Sequence, residues 1–464
     1  MNFYFEKIVH ILEEAKNQKV LVVGDVILDS YLYGHAGGVS TGIQIPIIER
    51  EFESFNLGGA ANVASNIAGV SNDTTIIGRI GKDSAGKVVT DLMKEKGITF
   101  HNIKSKKTIK KQRIYVSDQQ VLRIDENNIE PVNEKAIEFF LSKEIYSIIV
   151  VADYEYGMVN QDVLDVVSNY ARENNSMVYF TSRRPEEFNY DKKIIIVIND
   201  NERNKVKSTG KIDNNMLFLT KGTEGMEFWN ENFHVTKNTK SKIAVNVSGA
   251  GDTVLAIVSI LHSMKIDPET VMYIANVAAG LAVENRATYS IDCYELIDAI
   301  YNDLVHSDYI NKIVSQFEMS VVNSWKHQAK RIVFTNGCYD LLHLGHLMSF
   351  SMAKEFGDHL IVAVNSDESI KRLKGENRPI NKLEDRLKTL ACLEMIDMVI
   401  PFSDDTAIEL IKKIQPDIYV KGEEYKNKAL PEAEYAKEVR YIPMVEGVST
   451  TYQIEKIKKK LADE

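Results

Sequence analysis

The sequence predicts an α/β protein made of two open parallel-sheet domains, the first carrying a small β-lid. Three observations lead there. Apolar strands that run into polar, glycine-bearing turns begin twice, at KVLVVGDVILD (19–29) and at RIVFTNGCYDLLHLGH (331–346), the way parallel sheets buried on both faces begin. Each is followed by its own alternation of strands and helices. The later strands are YSIIVVADY, KIIIVIND and NMLFLTKG in the first half, and HLIVAVNSD, MVIPFSD and DIYVKGEEY in the second. The 464 residues also leave room for more than one domain, at roughly 100–200 residues each.

In chain order, residues 1–18 place Phe5, Ile8, Ile11 and Leu12 at helical spacing among glutamates, with no small-residue cleavage site. That pattern predicts a packed amphipathic helix, not a signal or transit peptide. Residues 43–56 and 108–125 alternate like strands and are read either as extra edge strands or as a β-layer serving as lid or dimer surface. The segment 305–329 looks like one or two helices between the sheets. With no Gly/Ser- or Pro-rich linker there, docked domains are expected: 1–318, a link at 319–328, and 329–464.

Composition narrows the partners. Hydrophobic residues are 44% and charged residues 26%, ordinary globular usage. The net charge of −10 argues against general binding to nucleic acid or anionic membrane, and no apolar run approaches the roughly 18 residues of a membrane span. Cys293, Cys338 and Cys392 are far apart with no CxxC, against a disulfide framework or a cysteine-rich zinc site. A cytoplasmic location and small-molecule partners are expected.

The first chemical site is centred on AVNVSGAGDTVLAIVSIL (244–261). Ser248, Gly249, Ala250 and Gly251 can point backbone N–H groups at one spot, and a helix N-terminus adds partial positive charge. A carboxylate at that lip, Asp252, suits a base that deprotonates a hydroxyl attacking a phosphoryl group; a plain N-cap is the alternative. Thr220, Gly222 and Gly225 make a second turn able to approach a nucleotide. Asn199 and Glu202 offer oxygen ligands for Mg2+ or its waters. Asp25, Asp29, Gly58, Gly59 and Asn62 suit a polyhydroxylated ligand.

The second site is FTNGCYDLLHLGH (334–346). His343 and His346, three apart on one helix face, follow the Asn336-Gly337 turn. Zinc is disfavoured because the spacing is not that of HExxH and no third ligand is evident. Both imidazoles are instead expected to donate to nucleotide phosphates as charge builds on the α-phosphate. Ser449, Thr450 and Thr451, before a C-terminal helix, form another anion cradle. Lys371, Arg372, Lys374 and Arg378 form a basic patch, read as a phosphate-neutralising loop or as a solvated face.

Residues 1 to about 315 resemble the ribokinase-like sugar kinases through GDVILD, GGAANVASNIA, N-x-x-E at 199–202, T-x-G-x-x-G at 220–225, GAGDT at 249–253 and ANVAAG at 275–280. The resemblance implies Asp252 as catalytic base, with Gly249, Ala250 and Gly251 as anion hole. Residues 329–464 resemble the HxGH cytidylyltransferase-like nucleotidyltransferases, with a Rossmann-like sheet. The match runs through TNGCYDLLHLGH, AVNSD, RLKGENRP, the helix with Glu384 and Arg386, VKGEEY and EGVSTT. It implies nucleotide or substrate roles for Thr335, Asn336, Gly337, Asp340, Lys374, Arg378, Arg386, Lys421, Gly422 and the Ser-Thr-Thr turn.

The pair in this order resembles the bifunctional heptose-phosphate kinase/adenylyltransferases of ADP-heptose synthesis. That implies ATP as substrate in both domains and Mg2+ held through nucleotide phosphates without a direct protein cage; the candidate β-layer suggests a homodimer. Departures gather in the first domain. An expected Ser-Pro-Glu-Ala-Pro stretch reads VSTGIQIP (39–46), an expected Lys is Tyr156, Asp-Pro-Lys is replaced at Ser182-Arg183-Arg184, Asn246 stands for an acidic residue and Ser248 for a Thr. A Gly-Lys-Leu-Gly-Thr turn is Glu284-Asn285-Arg286-Ala287-Thr288; in the second domain Met444 stands where relatives carry a basic residue. Loss of the Lys should weaken a sugar phosphate's hold unless Arg183 or Arg184 substitutes. The alternative is a single-activity nucleotidyltransferase, of CDP-alcohol or other NDP-sugar type, with a degenerate kinase-like scaffold.

Overall fold

The computed structural model describes residues 3–40, 42–43, 45–117, 119–207, 209–231, 233–239 and 249–443. The chain forms two compact units, His10–Leu296, and Ile297 onward with the start of the first helix up to Val9.

In the first unit the strands are β1 (Lys19–Gly24), β2 (Val26–Val39), β3 (Pro46–Gly59), β4 (Asp73–Gly78), β5 (Thr99–Asn102), β6 (Ile109–Val116), β7 (Gln119–Glu126), β8 (Ile148–Asp153), β9 (Met177–Ser182), β10 (Ile194–Asn199), β11 (Leu217–Thr220), β12 (Met226–Asn230) and β13 (Phe233–Lys237). Nine of them make one sheet in the order β13-β12-β11-β10-β9-β8-β1-β4-β5. It is parallel except for β12 and β13, which return as antiparallel strands at one edge. Every side chain of β8 is buried, as expected of a continuous apolar run covered on both faces.

The alternating segments do form a separate four-stranded layer, β3-β2-β6-β7. Its strand β2 begins directly after β1 and extends through Val39, so GDVILD is not the expected Gly-Asp turn but a strand passing from one sheet into the other. Val26 is in register with Gly59 and Val39 with Pro46. The far end of this layer exposes Val39, Ile47, Phe52, Val121, Leu122 and Ile124.

The second unit has β14 (Ile332–Gly337), β15 (His359–Asn365), β16 (Met398–Phe402), β17 (Ile418–Gly422) and β18 (Glu438–Ile442), ordered β16-β15-β14-β17-β18. All four pairings are parallel. The segment expected as the link is largely a helix, Ser320–His327, with Val321, Val322 and Trp325 buried. Trp325 stacks flat on His359 at 3.9 Å and donates from Nε1 to Asp298 at 2.9 Å. In both sheets the strand order reverses beside the first strand, so the crevice at the strands' C-terminal ends is where an open α/β sheet receives a ligand.

Candidate functional site

In the first unit the C-terminal ends of β8, β9, β10 and β11 and the lid strands surround a cavity of about 350 Å3. The structure brings Asp29, Gly59, Asn199, Glu202, Thr220, Gly249, Gly251 and Asp252 to its wall. Asp252 lies in the first turn of the helix Ala250–Ser263. Gly249 caps that helix at φ 88°, a left-handed conformation that costs glycine nothing. A Cβ on Gly249 would stand 3.1 Å from Asn62 Nδ2. Asn62 Nδ2 donates to Asp252 Oδ2 at 2.8 Å and the Tyr154 hydroxyl donates to Oδ1. Desolvation of the carboxyl raises its pKa to about 6; the bonds from Asn62 and Tyr154 and the charge of Arg183 oppose that rise, and Asp29 adds to it.

Several expected ligands have other work. Asp25 is buried and is absent from the cavity wall. Its carboxylate accepts the backbone N–H groups of Tyr154, Tyr156 and Met158 at 2.9, 3.2 and 3.0 Å, so it shapes the loop after β8. Asn62 acts on Asp252, and Asn66 one turn on accepts from Thr253 Oγ1 at 3.1 Å and Ile291 N at 3.0 Å, tying the helix Ala60–Ala68 to the helix that carries Asp252. Asp29 lines the cavity but is paired to Arg113 at 2.7 Å and accepts from Thr288 Oγ1 at 3.0 Å. A Cβ on Gly58 would fall 2.5 Å from Asp29 Oδ2, so the glycine makes room for that carboxylate.

Asn199 and Glu202 form a reciprocal capping box: Asn199 N–H donates to Glu202 Oε2 at 2.9 Å and Glu202 N–H to Asn199 Oδ1 at 3.0 Å. The N-x-x-E pattern therefore also has a structural reason, although both residues face the cavity. Gly222 is exposed at φ 57°. Gly225, at φ 98°, has Lys237 O only 2.2 Å from where a Cβ would sit, which makes it a turn residue; Ala250 is likewise not on the wall. Ser248 and Asn246 lie outside the described residues.

Sequence reasoning named Arg183 as a candidate and missed the three cations of the lid. Lys111, Arg113 and Arg123 reach the cavity from the lid and Arg183 from the loop after β9. Arg113 is paired to Asp29 and Arg123 to Asp125 at 2.6 Å. Lys111 and Arg183 form no ion pair among the described residues. Lys111 is 5% exposed, and burial, reinforced by Arg183, lowers its pKa to about 8. Arg184, the other candidate substitute for the missing Lys, is bound to Asp153 at 3.1 Å and Glu187 at 2.8 Å.

In the second unit His343 precedes the helix Leu344–Lys354, and its ring stacks on that of His346 at 3.8 Å. Both Nδ1 atoms are buried with no hydrogen-bond partner among the described residues, which is what a site awaiting a polar ligand shows. Burial lowers both pKa values; that of His346, with His343 and Lys374 adding to the effect, falls to about 4. Both rings are therefore neutral at pH 7. Gly337 is required because a Cβ would stand 2.9 Å from the Tyr339 ring.

The remaining residues divide. Lys421 is held over the Tyr419 and Tyr425 rings at 5.3 and 5.1 Å, burial lowers its pKa to about 8, and Gly422 follows it at the end of β17. Lys374 is exposed and its charge reaches His346. Thr335 is an inter-strand clip, donating to Val420 O at 3.0 Å, and Asn336 accepts from Tyr419 OH at 2.8 Å. Asp340 is buried, accepts from Arg378 Nη1 at 2.7 Å and from the N–H groups of Ile380 and Asn381 at 2.8 and 2.9 Å, and so latches the basic loop. Arg386, expected at the ligand, has its guanidinium occupied by the protein. It is 2% exposed and braces Asp367, Cys338 O and Asn381 O at 2.7, 2.6 and 3.1 Å. Arg372 is spent on Asp405. Ser449, Thr450, Thr451 and Met444 lie outside the described residues.

Comparison with known proteins matches these two units. The pfkB family carbohydrate kinase model matches residues 17–293 and the cytidylyltransferase-like model residues 334–460. Escherichia coli phosphofructokinase-2 in complex with potassium shares the fold at TM-score 0.52 and 14% identity, over 62% of this chain and 99% of that one. The fold and the matched families define a carbohydrate kinase joined to a nucleotidyltransferase. Bifunctional protein HldE of Sulfurimonas denitrificans is 32% identical over 95% of this chain and 97% of its own length, and that of Helicobacter pylori 34% identical over 96% and 100%. The chain belongs to the family of these bifunctional HldE proteins.

Proposed function

We propose that the N-terminal domain, 1–318, transfers the γ-phosphoryl group of ATP to the anomeric hydroxyl of a heptose 7-phosphate. The C-terminal domain, 329–464, transfers AMP from ATP to a heptose 1-phosphate and releases pyrophosphate, yielding ADP-heptose. One observation carries the sugar-phosphate reading: two unpaired cations, Lys111 and Arg183, share a cavity with a desolvated carboxylate at a helix N-terminus. A neutral sugar has no use for them, whereas a phosphate dianion does. Arg183 takes the place of the missing Lys, and Arg184 does not.

In the first reaction Asp252 removes the hydroxyl proton as the sugar oxygen bonds to the γ-phosphorus and the bond to the β-phosphate oxygen breaks, releasing ADP. A base whose pKa is about 6 is ionised at pH 7 and still accepts a proton. The N–H groups of the Gly249–Gly251 turn face the transferring group. When bound with the nucleotide, Mg2+ would supply charge neutralisation. Among the described residues no cluster of three or more His, Cys, Asp or Glu forms a cage for it, and Asn199 and Glu202 suit its bound waters. In the second reaction the orphaned His343 and His346 donate to the α-phosphate as sugar phosphate displaces pyrophosphate, and Lys374 and Lys421 offset the charge. Asp252, its two donors and the glycine turn occur together, which favours an active kinase over a degenerate scaffold.

The exposed apolar end of the β-layer suits pairing with a second copy, and we place the enzyme in the cytoplasm as a homodimer. No helix of the described residues is long and apolar enough to cross a membrane. The test is separation of function. Asp252→Asn should lower sugar phosphorylation by roughly 10²–10⁴-fold and leave nucleotidyl transfer intact, and His346→Ala should lower transfer by roughly 10²–10³-fold and spare the kinase. Loss of both activities from one folded variant would refute independent sites.

A further inference from the structure

Tyr154 has no part in the chemistry above, yet it is bonded to the base. Its hydroxyl donates to Asp252 Oδ1 while Asn62 serves Oδ2. The residue is fixed from behind. Its backbone N–H is the first of three that Asp25 accepts, and the Arg183 guanidinium lies over its ring at 5.4 Å. Desolvation, with Asp252 beside it, lifts the phenol's own pKa well above its ordinary value, so the hydroxyl remains a donor throughout the working pH range. Each carboxylate oxygen has two lone pairs, so one donor on each leaves acceptor capacity for a substrate hydroxyl.

We propose that Tyr154 is a positioning residue for phosphoryl transfer, its hydroxyl holding the Asp252 carboxylate ionised and turned toward the cavity. The inference rests on Asp252 being the base. The other charged groups around the pair are few. Asp29 on β2 disfavours the carboxylate, Arg183 after β9 favours it, and Glu202 from the helix Asp200–Lys207 acts on the phenol. Lys111 on β6 stands with Asp29 and Arg183. None of these donates a hydrogen bond to Asp252, so burial is opposed at short range by Tyr154 and Asn62. A donor to the charged form lowers a carboxyl's pKa, and its removal raises it.

The experiment uses the full chain and Tyr154→Phe, which keeps the ring and removes the donor. The kinase kcat/KM, read as ADP released with ATP and heptose 7-phosphate, is followed from pH 5 to 9. The rate needs ionised Asp252, so it rises with pH through that group's pKa. In the variant this acid limb should move up by about one unit from about 6, making the loss at pH 6 about fivefold greater than the loss at pH 8, with nucleotidyl transfer unchanged. An equal loss at every pH would indicate a merely structural role and overturn the proposal. A second measurement needs no substrate: the carboxyl carbon of Asp252, labelled with 13C-aspartate and assigned by its absence in Asp252→Asn, is titrated by NMR. Its midpoint should be higher in Tyr154→Phe than in the wild type, and an unmoved midpoint overturns the proposal. Should the wild type phosphorylate no heptose phosphate, the substrate reading fails while this titration still decides the role of Tyr154.

Discussion

At the scale of single residues, the kinase cavity places two kinds of group side by side, a desolvated acid and unpaired cations. Lys111 shows how burial sets function. With a pKa of about 8 it is charged below that pH and neutral above it. A phosphate dianion should therefore be held best below pH 8, and KM for the sugar phosphate should climb as pH rises past it. Lys111→Met should raise that KM roughly 10–100-fold, the worth of a charge-assisted hydrogen bond, with a smaller change in kcat; steady-state kinetics at pH 7 checks it. Lys111 was within reach of the sequence only as one member of an alternating strand. Nothing in KKQRIY says which of its cations meets a carboxylate and which is left over, because that depends on Asp29 arriving from β2.

Elements explain why these residues converge. β1 passes into β2 without a turn, so one continuous stretch runs from the centre of the large sheet into the lid, where Ile27 and Asp29 line the cavity. In the second unit the loop 375–381 is set by Asp340 and the helix Leu383–Ala391 by Arg386, whose guanidinium joins that helix to Cys338 O beside the histidines. Arg386→Met removes a buried brace and leaves carbonyl oxygens unsatisfied, at a cost of about 3 kcal/mol. Thermal denaturation should show a lower Tm, and transferase activity should fall more than kinase activity. The resemblance marked Arg386 as ligand-facing. A motif records that an arginine is wanted, and only the contacts show that it braces Asp367, Cys338 O and Asn381 O.

For the whole molecule, the apolar end of the β-layer is the feature that a net charge of −10 does not explain. Phe52→Glu combined with Leu122→Glu should convert a dimer to a monomer in light scattering while leaving Asp252 and its donors in place. A wild type that is monomeric at micromolar concentration would remove the reason for the dimer.

The sequence by itself determined the two α/β units, the lid strands, the base-bearing glycine turn and the histidine pair. Each of these is written in local periodicity or in a short spacing that the backbone must obey. The tertiary structure alone decided that Asp25 serves a loop, that Arg386 is a brace, that Tyr154 and Asn62 hold Asp252, and that Lys111 and Arg183 form no ion pair among the described residues. Those outcomes turn on which side chains meet across strands far apart in the chain, where charge pairing and desolvation are settled by three-dimensional neighbours and not by sequence ones.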